Sequence, residues 1–459
     1  MTVRNNPLEG WSPAFVAWPT TPAQVQLLVK FATLHNLCIS VTNTGHDYLN
    51  RHSCDHSLDI RTSLLKDVAW DASPFSVRVG AGVTSSELQS EASLVGKLVV
   101  TPWSKSVGMV GWSLGGGRSL LAPRYGLGAD QIVGVQLVGP DGCLYDVDVT
   151  GTEKRHLDGR VEQFEDCELL WAVRGGGGST WGVITALTLK THPVPQGGAT
   201  ATGLLFTAYG DCTNDFSSLL ELYFSWSLTL DSKWAGTASV VPYPSDDGCN
   251  MWGFVITYFY QGGDNYLDTW KAFTRNVPEG ISPYESIEEH ITLWDIFLRA
   301  DLEKILPEPF LAPVDHFSGA WPSVLLSRET VKSGALVEIM KTQLGKCTAD
   351  QCDSWEFSQD LTGNINSPQD SDVSISPGMR TSILHLRIPR TQELSLYDAL
   401  GKHSYFSESA YMMEDWPERY WGNRNYRRLS HIKKAFDENN VFWCRHCVGD
   451  LQNTSHSHF

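Results

Sequence analysis

Residues 39–53 read ISVTNTGHDYLNRHS, a β-branched run that breaks into a turn with a histidine at its mouth. Upstream, Thr20-Thr21-Pro22 opens a helix, with proline in the first turn and a threonine as cap. Val25, Leu28, Val29 and Ala32 follow at i, i+3, i+4 and i+7, one face of that helix. Cys38-Ile39-Ser40-Val41 then predicts a strand. Asn43, Thr44 and Gly45 suit the turn after it and expose backbone N–H groups. A lone loop histidine is ordinarily a solvated or hydrogen-bonded side chain. Whether His46 is more than that depends on what the chain places beside it.

Two further stretches bear on this. Residues 101–131, TPWSKSVGMVGWSLGGGRSLLAPRYGLGADQ, carry Gly108, Gly111 and the triplet Gly115-Gly116-Gly117. Residues 171–192, WAVRGGGGSTWGVITALTLKTH, run four glycines into a strand alternating Val183, Thr185, Leu187 and Leu189. Glycine loses more backbone freedom on folding than any other residue. Such density is tolerated where the backbone must take positive φ or approach a ligand closely. Loops of this kind offer successive N–H groups, which suit a pyrophosphate. Any one of them also reads as a tight turn of a β-rich domain.

A dinucleotide fingerprint is the competing reading of VGAGVTSSEL, residues 79–88. Its third glycine position is Ser85, and no βαβ unit with an acidic residue at the expected distance follows. A strand over 76–80 and then a helix with the capping box Thr84-x-x-Glu87, ending near Gly96, accounts for it better. There is no lysine-bearing phosphate loop either.

The whole chain sets bounds. At 459 residues it exceeds what one core usually serves, so two domains are expected. The formal charge is −17 with no Lys/Arg cluster, which disfavours nucleic acid and anionic membrane surfaces. No stretch nears the roughly 20 apolar residues that span a bilayer. The opening MTVRNNPLEGW has no apolar signal-type run. That favours an intracellular location, or a secreted one if a leader has been removed. Of ten cysteines, Cys347/Cys352 and Cys444/Cys447 are near enough in sequence to pair.

Taken together, TGHDY, YGLGAD (125–130), RGGGGSTWGV (174–183) and the C-terminal DWPERYWGNRNYRRLSHIKKAFDENNVFWCRHCVG (415–449) resemble the FAD-linked oxidoreductases of the vanillyl-alcohol oxidase superfamily. Within it they look like the berberine bridge enzyme-like branch of fungi. The resemblance covers about 15–195 and 400–450. It implies that His46 carries the flavin through its 8α-methyl carbon, a bond that a neutral imidazole nitrogen can form. It implies that Asn43, Thr44, Gly45, Asp47, Ser106, Val107, Gly108, Gly111, Gly115, Gly116, Gly117, Gly182, Val183 and Ile184 bind FAD. Tyr48 would lie beside the flavin ring, and Tyr405, with Tyr48, is the candidate acid/base, a role that a lowered phenol pKa would favour.

Two departures stand out. The second, cysteinyl flavin bond of many relatives falls at Ser104, and no cysteine occurs between Cys54 and Cys143. A hydroxyl is far less nucleophilic than a thiolate, so the histidyl link alone is expected. The family's Y-x-N motif appears as Tyr405-Phe406-Ser407.

The implied fold is α+β in two domains, a PCMH-type FAD-binding domain of two α/β subdomains and a substrate domain of antiparallel sheet backed by helices. The division expected is 10–195 for FAD, 196–399 for substrate, and 400–459 returning to the FAD domain. In the substrate domain, Trp252, Phe254, Ile256, Tyr258 and Tyr260 share one strand face. Along 381–390, Ser382, Leu384 and Leu386 oppose Ile383, His385 and Arg387, and one or two polar members would line the cavity. The implied activity is an oxidase or oxidative cyclase taking hydride from a small, secondary-metabolite-like substrate, with O2 as the final acceptor. A carbohydrate or alcohol oxidase, and a redox-neutral cyclase or isomerase with FAD as scaffold, are the alternatives. The clusters His52-x-Cys54-x-His56 and Cys444-Arg-His-Cys447 each offer three ligands where structural zinc wants four, and no metal is expected.

Overall fold

Thr21 caps the first helix, Pro22–Leu34, its side chain accepting the Gln24 N–H at 3.3 Å, and Val25, Val29 and Ala32 are fully buried beneath it. The helix packs on a three-stranded parallel sheet in the order Phe15–Ala17, Leu58–Arg61, Ile39–Thr42. The computed structural model describes residues 11–70, 75–209, 214–243, 251–262, 265–279, 284–291, 322–344, 354–366, 372–388, 395–410 and 413–450.

A second, seven-stranded antiparallel sheet follows. Its order is Val161–Phe164, Gly151–Arg155, Leu144–Asp148, Ile132–Val138, Val183–Lys190, Ser76–Gly80, Val68–Trp70. The strand 76–80 leads into the helix Ser85–Leu94, which carries both halves of the Thr84/Glu87 capping box. The chain after Gly82 is therefore a capped helix packed on this sheet, in line with rejecting the dinucleotide fingerprint.

The third sheet has seven strands, all antiparallel: Tyr284–Ile291, Ala199–Tyr209, Met251–Gln261, Trp234–Tyr243, Trp355–Gln359, Ser382–Arg387, Ser323–Ser327. Period-two alternation gives it two faces. Phe254, Ile256, Tyr258 and Tyr260 pack with Phe216, Leu219 and Tyr223 of the helix Asn214–Ser227 and with Trp270 and Phe273 of the helix Tyr266–Thr274. Each buried aromatic there contributes about 1.5–3 kcal/mol. The Trp252 side chain lies outside the described set. That face is the domain's core, so it is the opposite face that looks toward the cofactor half. There Phe259 meets Trp103 at 5.1 Å between ring centroids, and Gln261 donates to Leu120 O at 2.7 Å.

The C-terminal helix Trp416–Phe436 returns to the first half of the chain, turning at Gly422, whose φ is +67°. Tyr420, Trp421, Leu429 and Ile432 join the same core as Val79, Trp112 and Leu187. Mixed sheets and helices in this arrangement agree with the α+β fold implied by the sequence.

Candidate active site

The His46 loop is tied to the first glycine loop at three points. Gly108 N donates to Thr44 Oγ1 at 3.2 Å, and His46 Nε2 lies 2.9 Å from Ser106 Oγ. Asn43 Nδ2 donates to Thr62 Oγ1 at 3.2 Å and to Ala81 O, and its carboxamide fills the space that a Cβ on Gly108 would need. Only glycine fits at 108. Burial, and then the neighbouring His52, hold the His46 imidazole below its usual pKa against the Ser106 bond. It is therefore neutral at pH 7, the form able to act as a nucleophile.

Asp47 anchors the loop from beneath. Its carboxylate accepts the Leu49 and Arg51 backbone N–H groups at 3.0 Å each and pairs with the Arg51 guanidinium at 2.8 Å. Burial pushes this carboxyl up, but Arg51 outweighs it and leaves the pKa below its ordinary value. Asp47 thus serves the loop's shape.

The glycines divide by what faces them. A Cβ on Gly111 would meet nothing within 4 Å, and one on Gly178 only Gly111 Cα at 4.0 Å. Gly45, at φ +78°, would meet only His52 Nε2 at 3.8 Å. Asn43 Oδ1, buried beside Gly108, has no donor among the described residues. An open cradle between two glycine loops fits the diphosphate and ring edge of FAD. The triplet behaves differently. Gly115 faces Ser407, Gly116 faces Tyr405, and Gly117 packs on Gly128, so these three make room for the C-terminal segment. Gly182, at φ +133°, abuts Val138 O, while Val183 and Ile184 point into cores. Only their backbone is available to a cofactor.

Above the His46 loop lies a cluster of ionisable side chains contributed by four segments. Arg118, next to the glycine triplet, pairs with Asp360 at 2.9 Å and with Glu408 at 3.2 Å. Arg387, from the third sheet, pairs with Glu356 and hydrogen-bonds the Tyr48 phenol. His385 is fully buried with neither ring nitrogen hydrogen-bonded among the described residues, and its Nε2 stands 3.5 Å from Glu408 Oε2. Thus His385 and Arg387 face the cofactor half while Leu384 and Leu386 of the same strand lie in the domain core.

The phenols do not follow the expected direction. Burial raises Tyr48 to about 12 and also raises Tyr405. Both stay protonated at neutral pH, so the lowered phenol pKa invoked for an acid/base role is corrected. Tyr405 is 3% exposed, and its hydroxyl accepts the Gly117 N–H at 3.3 Å. It braces the glycine turn. Sequence reasoning missed Arg51, Arg118, Asp360 and Glu408. Two faint signals existed: Arg118 directly follows the triplet, and Glu408 lies three residues after Tyr405.

The C-terminal return holds the second glycine loop. Trp421 Nε1 donates to Gly175 O at 2.9 Å, and buried Lys433 donates to Thr180 O at 2.9 Å while paired with Asp437 at 2.6 Å. Two disulfides occur, Cys38–Cys54 and Cys444–Cys447, with Cα separations of 6.6 and 5.4 Å. The second was anticipated; the first was not, because its partners are sixteen residues apart and meet only through the parallel sheet. The Cys347/Cys352 pairing lies outside the described residues. Both three-ligand clusters considered for zinc lose their cysteines to these bonds, and among the described residues no group of three His, Cys, Asp or Glu is placed to hold a metal. Among the described residues no helix is long and apolar enough to cross a membrane.

Comparison with known proteins converges on one group. The sequence matches the FAD binding domain family over residues 13–148 and the berberine and berberine like family over 402–449. It is 25% identical to the FAD-linked oxidoreductase cheF of Chaetomium globosum, over 93% of this chain and 68% of that one. To the VAO-type flavoprotein oxidase VAO615 of Thermothelomyces thermophilus it is 26% identical, over 95% of this chain and 76% of that one. Among solved structures, the VAO-type flavoprotein MtVAO615 from Myceliophthora thermophila superposes with a TM-score of 0.74 at 23% identity, covering 95% of this chain and 80% of that one. A chitooligosaccharide oxidase gives 0.73 at 18% identity, covering 97% and 93%.

Proposed function

We infer that this chain, a berberine bridge enzyme-like FAD-linked oxidoreductase of the vanillyl-alcohol oxidase superfamily, oxidises a small organic molecule held between the third sheet and the His46 loop. The observation that carries this reading is the meeting of His385 and Arg387 with Tyr48 and Glu408. Polar groups able to hold or move a proton are gathered where the glycine loops would present the flavin. When bound, FAD supplies the hydride acceptor and, through reduction of O2 to hydrogen peroxide, the means of turnover.

The chain's own residues do the rest. His46, neutral and fixed through Ser106, anchors the cofactor covalently, with no second link at Ser104. Asn43, Thr44, Gly45, Gly108 and Gly111 hold the cofactor's diphosphate side. Tyr48, protonated and oriented by Arg387, donates a hydrogen bond to the substrate's oxygen or nitrogen. Residues 10–195 and 400–459 serve the cofactor and 196–399 the substrate; the apolar core behind the third sheet draws on the latter segment, while Ala199, Ala201, Ala235 and Phe259 of that segment pack into the cofactor-half core. The relatives named FAD-linked oxidoreductases are fungal, and a secondary-metabolite-like molecule is the first substrate reading. The fold of a chitooligosaccharide oxidase keeps carbohydrate as the second reading.

The test is anaerobic mixing of the holoenzyme with aromatic alcohols, amines and oligosaccharides. Loss of the flavin's visible absorbance, restored by air with release of peroxide, supports the oxidase. Product formed without bleaching would instead make the flavin a scaffold.

A further inference from the structure

We propose that Glu408 is the proton acceptor of the oxidation and that His385 backs it as a hydrogen-bond acceptor, the two forming a carboxyl–imidazole pair that holds one proton. The inference rests on the redox reading above, and the geometry selects these two residues from their neighbours. Three carboxyl side chains converge here: Glu356, Asp360 and Glu408. Glu356 is engaged by Arg387. Asp360 receives both Nε and a terminal nitrogen of Arg118, at 3.0 and 2.9 Å, and is 6% exposed.

Glu408 differs in both respects. Its Oε1 meets Arg118, but Oε2 has no hydrogen-bond donor among the described residues. Its side chain keeps 20% of its surface accessible, whereas His385 keeps none. The carboxyl therefore borders open space while Oε2 itself is buried, and a turn about its last torsion brings Oε2 to a substrate; the imidazole stays enclosed. The spacing of 3.5 Å between Glu408 Oε2 and His385 Nε2 is just beyond a good hydrogen bond and closes with a small side-chain shift.

The charges around the pair favour one shared proton. Arg118 and Arg387 flank His385 and, after burial, hold it neutral. Burial raises the Glu408 carboxyl against those same two arginines, with Glu356 and Asp360 adding to the rise. Tyr48 and Tyr405, the remaining titratable groups here, stay protonated. With Glu408 ionised, a substrate hydroxyl or amine gives its proton to Oε2, forming an O–H bond. The electron pair of the broken O–H or N–H bond becomes the second bond of a C=O or C=N group. The hydride from the same carbon leaves to FAD. The new carboxylic O–H then donates to His385 Nε2, so a buried acid is not left unpaired.

The experiment has two arms. Holoenzyme labelled with 13C-glutamate is titrated by infrared difference spectroscopy without any substrate. One glutamate should ionise with a midpoint above the ordinary range of about 4.3; the band should vanish in Glu408→Gln and move to lower pH in His385→Phe. In the second arm, 4-methoxybenzyl alcohol and cellobiose are mixed anaerobically with each enzyme. With whichever probe bleaches the flavin, Glu408→Gln should be slower by roughly 10²- to 10⁴-fold at neutral pH. The deficit should shrink as pH falls below the wild-type midpoint and Glu408 becomes protonated, and Glu408→Asp should recover part of the rate. Ionisation of every labelled glutamate in the ordinary range overturns the proposal, as does a wild-type rate in Glu408→Gln. Failure of both probes to bleach the wild type counts against the redox reading, and the titration then decides the pair.

Discussion

Arg51 lies 3.7 Å over the ring of Phe406 while donating to the Phe406 carbonyl at 2.8 Å. Those residues are 355 apart in sequence, and through them the loop that presents His46 is braced by the segment that carries Tyr405. Phe406 in turn packs on Trp421 at 5.5 Å and covers Gly177. One aromatic ring thus touches elements from both glycine loops' surroundings.

Because Arg51 is buried and paired with Asp47, Arg51→Met leaves a half-buried carboxylate without its ion partner, held only by backbone N–H groups. The expected loss of stability is about 2 kcal/mol, the range of a hydrogen bond to a charged group, read by urea denaturation. Flavin incorporation should slow as well. Arg51→Lys should recover less than half of the stability, since an ammonium cannot reproduce the forked contact to Asp47 and the stacking on Phe406.

Tyr405→Phe separates bracing from chemistry. The phenol hydroxyl accepts the Gly117 N–H and is raised in pKa by burial. Its loss should cost about 1 kcal/mol of stability and leave the pH midpoint of flavin reduction where it is in the wild type. If that midpoint disappears, the phenol is the titrating base and the assignment to Glu408 is wrong.

How far the sequence alone carries the reading varies by segment. The strand–turn–histidine reading of 39–46, the capped helix at 85–94 and the strand 183–190 are local features, set by periodicity and capping, and they were legible. The facing of the long strand 251–261 was legible as alternation. What covered each face was not, because that depends on helices 214–227 and 266–274 packing from one side only. Cys38–Cys54, Arg51–Phe406 and Arg118–Asp360–Glu408 are long-range pairs with no local pattern. The rise of the Tyr48 phenol to about 12 is likewise a property of burial.

Two histidines give the fold an acid sensitivity. His192, bonded to Gln131 at 2.7 Å, is lowered by burial to about 4, and His446, stacked on Trp416, is lowered to about 3. An unfolded chain would protonate them near 6.5, so it binds more protons and stability rises with pH. Their contribution is complete above about 6.5 and is lost as pH falls toward 4. Denaturation midpoints measured from pH 7 to 4.5 should fall, and His192→Gln should flatten that slope. An unchanged slope in the variant would place the acid sensitivity elsewhere.

Ser104→Cys tests the departure from bicovalent relatives. Ser104 is exposed on the loop whose Ser106 meets His46, and a thiol there is nucleophilic where a hydroxyl is not. The variant should acquire a second flavin bond autocatalytically, with a shifted absorption spectrum and a raised reduction potential. Peptide mapping that finds flavin only on the fragment containing residue 46 would mean that the loop around Trp103 and Lys105 keeps residue 104 away from the ring.

The most direct measurement is peptide mass mapping of the denatured holoenzyme beside His46→Ala. The account predicts that the wild-type fragment containing His46 carries the mass of FAD after denaturation, and that the variant releases all its flavin on precipitation while keeping the wild-type circular dichroism spectrum. Flavin released freely from the wild type, or retained covalently by His46→Ala, would contradict it.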